Sequence, residues 1–88
     1  MSLADFEFNH GIDAYHYAIF KKNLSSSTKE LNLERIEALL DYIAGAEPDL
    51  LEKMIESSMS ECHRYAVIYS SYMAMKADIE NIKGELNA

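Results

Sequence analysis

The sequence predicts an all-α fold, a bundle of three to four helices with a long C-terminal helix. Three observations predict it: positions stepped by three and four from Leu51 to Leu86 turn polar only at Ser58 and Glu61 and are apolar or aromatic at every step from Tyr65 onward, no stretch alternates like a strand, and turn residues cluster at only a few points. The 88 residues are expected to make one domain, 1–88. A chain this short buries only about 60 to 65% of its unfolded surface, so self-association is expected to complete the bundle.

In the first segment, Phe8, Ile12, Tyr15 and Ile19 stand at steps of four, three and four, with His16 and Phe20 widening the stripe. This spacing predicts an amphipathic helix over residues 5–23, or a later start if Asn9 is the cap and Gly11 lies near the beginning. Between His10 and Lys21 the only formal charge is Asp13, so burial on more than one side is expected. Asn23 to Ser27 reads as a short polar connection interrupted by Leu24.

Ser27-Thr28-Lys29-Glu30 then fits a capping box and opens a helix over 28–44. Leu33, Ile36, Leu40 and Ile43 share one face, Leu39 lies beside them, and Gly45 is the expected stop. Next to the apolar face runs an acidic line, Glu30, Glu34, Glu37 and Asp41, at the same steps of four, three and four. It is the candidate acidic contact surface, set against the plainer reading of a solvated helix face.

Pro48 suits a first helical position and opens the third helix, 48–84. At ~1.5 Å per residue this is a rod of roughly 55 Å, long for a domain whose radius of gyration should be about 12 Å. The rod either bends at Ser57 to Ser60, where serines compete for backbone hydrogen bonds, or runs on to meet another chain. Its seam is Tyr65, Ile68, Tyr72, Met75, Ile79, Ile82 and Leu86. With a turn at Gly45 to Glu47, helix two would cover helix three only as far as Tyr65, leaving the remainder to helix one or to a second chain. In heptad register a parallel pair sets Asp78 against Lys83 of the partner, whereas an antiparallel pair opposes like charges. A homo-oligomer, with a parallel dimer favoured, is therefore expected through this seam, although isoleucine at its d positions leans towards higher oligomers.

Candidate chemistry is sparse. Glu7 and His10, and Asp13 and His16, share the i, i+3 spacing of carboxylate-bridged metal bundles, but Glu7 and His16 point to opposite sides of one helix. His10, Asp13, His16 and Tyr17 are expected to form a structural polar network, with no metal and no cofactor. Cys62 and His63 are sequence neighbours about 100° apart on a helix and cannot pair as nucleophile and base, so no catalytic residue is assigned. Tyr65, Tyr69 and Tyr72 suit a protein interface.

The net charge of -7 and the scattering of the eight basic residues argue against direct binding of nucleic acid or an anionic membrane. The uncharged run from Tyr65 to Met75 is much shorter than the ~20 residues a bilayer span needs. A lone cysteine and the absence of a basic-then-apolar leader pattern point to a reducing, cytoplasmic setting. The expected function is a non-enzymatic helical protein-protein interaction module, such as an adaptor, small chaperone or regulator, that self-associates through its C-terminal helix. A second reading is an acidic inhibitor that mimics nucleic acid towards a basic partner protein. A third is a carboxylate/His metal-binding bundle.

Overall fold

The computed structural model describes residues 1–88 and is all-helical, with α1 at Leu3–Asn23, α2 at Lys29–Glu56 and α3 at Met59–Leu86. Ser2 caps α1 through a capping box with Asp5, two turns earlier than Asn9 would have done. Gly11 therefore lies in mid-helix. Thr28, not Ser27, caps α2 by accepting from the Leu31 amide, and the Ser27 hydroxyl instead accepts from Arg35 at 2.9 Å.

The expected stop at Gly45 does not occur. α2 continues through Gly45 and Pro48 to Glu56, because its buried row Ile36, Leu39, Ile43 and Leu50 carries on past both residues, with Met54 packed behind it. Pro48 has no N–H to give the Ala44 carbonyl, a loss the burial of Leu50 and Met54 outweighs. The reversal falls instead at Ser57 and Ser58, both extended: Ser57 donates its hydroxyl to the Lys53 carbonyl, and Ser58 accepts from the Glu61 amide. α2 and α3 thus form a hairpin of two 28-residue arms. Their common length of ~42 Å matches the 45 Å long axis of the molecule.

This hairpin corrects the expected coverage of α3. With the turn at Ser57, α2 runs antiparallel to α3 along its length, tied near its far end by Glu37–Lys83 at 2.6 Å. Tyr65, Ile68, Tyr72, Met75, Ile79 and Ile82 are all buried within the single chain, and Leu86 packs against them. The seam expected to join two chains is the core of one. Asp78 and Lys83, expected to meet across a dimer, are held within the chain by Lys21 and Glu37 respectively.

α1 lies parallel to α3 and antiparallel to α2, with Phe6 edge-on to Tyr65 at 5.6 Å and Phe20 buried at its other end. Asn32, 2% exposed, holds the α1–α2 connection by donating to the Leu24 carbonyl at 2.9 Å. No helix is long and apolar enough to cross a membrane.

Candidate functional site

The site follows from which way α1 is turned. The row Phe6, His10, Asp13, Tyr17, Phe20 and Leu24, spaced by four and three residues, faces the bundle. Its middle is polar, and α3 answers it group by group. His10 Nε2 lies 2.7 Å from the Ser71 hydroxyl. Tyr72 donates its hydroxyl proton to Asp13 Oδ2 at 2.6 Å, and Tyr17 donates to Asp78, which Lys21 also holds at 2.9 Å. Outside this row, Arg64 pairs with Glu7 at 2.6 Å.

These contacts shift proton affinities. Burial pushes the Tyr72 phenol well above its ordinary range, and the neighbouring Asp13 carboxylate adds to the effect. Tyr17 is raised by burial and by its bond to Asp78, partly offset by Lys21. Asp78 is lowered by the hydrogen bond from Tyr17 and then by Lys21. His10, Asp13 and Tyr17 therefore each bridge to α3 and not to one another, while His16 stands exposed outside the seam.

Because the polar row faces in, the apolar row faces out. Phe8 is 71% exposed, Tyr15 64%, Ile12 42% and Ile19 38%. The stripe expected to be buried is the exposed side of α1. Ala4, Gly11 and Ala18, all exposed, sit between the large side chains at intervals of seven. Ile12 and Ile19 also form one wall of a shallow groove between α1 and α2, with His16 between them and Tyr42 opposite. Two hollows of about 370 and 270 Å³ mark the length of this groove.

Sequence reasoning missed Phe6, Ser71 and Tyr42, and it placed Asp78 at a dimer seam where the structure gives it to Tyr17 and Lys21. The four-and-three spacing of Phe6, Tyr17, Phe20 and Leu24 through His10 and Asp13 was the available signal. Of the acidic line on α2, Glu30, Glu34 and Asp41 are exposed along one shallow surface, and Glu37 is drawn to Lys83. Cys62 is half-buried, His63 is exposed, and no three His, Cys, Asp or Glu side chains converge as a metal site. No family model, curated protein or solved structure matches the chain, so its own residues carry the functional reading.

Proposed function

We propose that the protein is a non-enzymatic helical interaction module that receives an amphipathic helix on the outward face of α1 and the adjoining α1/α2 groove. The observation that carries this reading is the exposure of Phe8, Ile12, Tyr15 and Ile19 in one row, while the α2/α3 core is already filled. Isolated exposed apolar residues are ordinary on a protein surface, but a contiguous row of four beside an apolar groove marks an interaction site. Its aromatic members are of the type that concentrates binding energy in protein interfaces. The occupant should present apolar residues at positions i, i+4 and i+7 and be uncharged at its centre, since the row Phe8, Ile12, Tyr15 and Ile19 is itself uncharged.

Fluorescence anisotropy with a panel of labelled, designed amphipathic helices tests the reading. Binding that saturates in the micromolar range and weakens at least about tenfold in a Phe8→Ser, Tyr15→Ser double variant supports it, a change of roughly 1.4 kcal/mol or more. Affinity indifferent to that double variant would count against it. Glu30, Glu34 and Asp41 offer a second charged surface, but nothing beyond their exposure sets them apart.

A further inference from the structure

We infer, resting on the reading of the α1/α2 groove as a docking site, that its occupant is a helix of opposite charge at its two ends. A basic side chain lies over Asp13 and Asp49, an acidic one lies over Arg35, and the centre between them is apolar.

The groove has two electrical ends. The hollow beside the N-terminal half of α1 is lined by Asp13 and Asp49 and by no lysine or arginine. The hollow beside the C-terminal half is lined by Arg35 and by no aspartate or glutamate. His16 and Tyr42 line both and mark the middle. None of the three charges is met by an opposite one within the chain. The ion pairs engage Lys21, Arg64, Lys76 and Lys83 with other carboxylates, whereas Arg35 donates to the neutral Ser27 hydroxyl and Asp13 accepts from the neutral Tyr72 phenol. Asp49 is exposed. Each therefore keeps its charge for a partner, and charges so arranged fix register and orientation more than they add affinity.

Spacing sets the partner's length. Arg35, Tyr42 and Asp49 follow one another along α2 at steps of seven, close to two full turns, and so share one side of it. At ~1.5 Å per residue Arg35 and Asp49 stand ~21 Å apart along the axis. The partner's two charges should be about four turns apart, with its apolar residues between them. On α1 the order is the same, Asp5 before the exposed row and Lys22 after it, an order that helix's own dipole favours. α2 runs the opposite way, so its base precedes its acid, which its dipole does not favour. A complementary partner gives that order a use.

Fluorescence anisotropy on the full chain, at neutral pH and about 0.15 M salt so that charges beyond ~8 Å are screened, tests the inference. Three labelled designed helices share one apolar face and differ only at their ends: lysine and glutamate, lysine at both, or glutamate at both. The mixed helix should bind the wild type at least about threefold tighter than either of the others, and its lead should shrink as salt rises. Arg35→Glu should transfer the preference to the lysine-ended helix. Asp49→Lys, at an exposed position, should narrow the lead of the mixed helix over the glutamate-ended one. Should loss of the Ser27 bond unfold Arg35→Glu, as circular dichroism would show, Asp49→Lys decides alone. Equal binding of all three helices, or a preference that neither substitution moves, overturns the inference and leaves the docking reading standing. A lysine-ended helix that binds the wild type best reports only the net charge of -7 and overturns it too. Failure of every helix to bind overturns both.

Discussion

The hydroxyl of Tyr72, on a side chain 2% exposed, donates its proton to Asp13 Oδ2 at 2.6 Å and joins α3 to α1 through the middle of the bundle. Removing the donor in Tyr72→Phe leaves a half-buried carboxylate without this partner. A hydrogen bond to a charged group is worth about 1.5–3 kcal/mol, and urea unfolding should show a loss in that range. Adding Asp13→Asn to Tyr72→Phe should recover part of it, because the unpaired charge is gone.

The two raised tyrosines set an alkaline limit. A group whose folded pKa lies above its unfolded value contributes stability in full below the unfolded pKa and loses it as pH rises towards the folded one. For Tyr72 and Tyr17 the loss begins near pH ~10. Thermal melts across the alkaline range should fall more steeply for the wild type than for a Tyr17→Phe, Tyr72→Phe variant.

Asp78 sets the opposite limit. Its lowered folded pKa contributes stability above the unfolded value of ~3.9 that is lost as pH falls through the folded one. The Asp78 side chain is 37% exposed, so solvent screening makes this limb shallow. Asp78→Asn should flatten the acid side of the melting profile and leave the alkaline effect of Tyr72 in place.

Asn32 tolerates little change. Its amide nitrogen faces the carbonyls of Leu24 and Ser27, and its Oδ1 has no partner. N32D would point a buried carboxylate at two carbonyl oxygens, and chemical denaturation at neutral pH should register a loss of about 3–5 kcal/mol. Acidification to protonate the new carboxyl should return part of that stability, which a simple packing defect would not do.

Gly45 and Pro48 leave α2 weaker than it need be. A Cβ at Gly45 would meet no atom within 4 Å, so Gly45→Ala should raise stability by roughly 0.5–1 kcal/mol. Pro48→Ala restores a donor for the Ala44 carbonyl and should add a further gain, read as a higher urea midpoint.

The same two residues show what the sequence can and cannot say. The seam of α3 is legible because seven positions keep one helical phase, a property of that helix alone. The end of α2 is not, since Gly45 is a local stop signal and Pro48 a local start signal, while the pull of Leu50 and Met54 into the core is not local. The orientation of α1 escapes for a related reason. Hydrophobicity assigns Phe8, Ile12, Tyr15 and Ile19 to the core, while the face that packs is chosen by the pairing of Asp13 with Tyr72 and Tyr17 with Asp78, which neither helix displays by itself.

That choice of face governs orientation as well as adhesion. An oily contact between helices can slip through a few tens of degrees at little cost, whereas directional bonds at three successive turns, His10 to Ser71, Asp13 to Tyr72 and Tyr17 to Asp78, work like splines on a shaft. They fix the angle at which α1 is clocked against α3, and with it the bearing of Phe8 and Tyr15 on the far side. A change on the hidden side would therefore re-aim the displayed one without touching it.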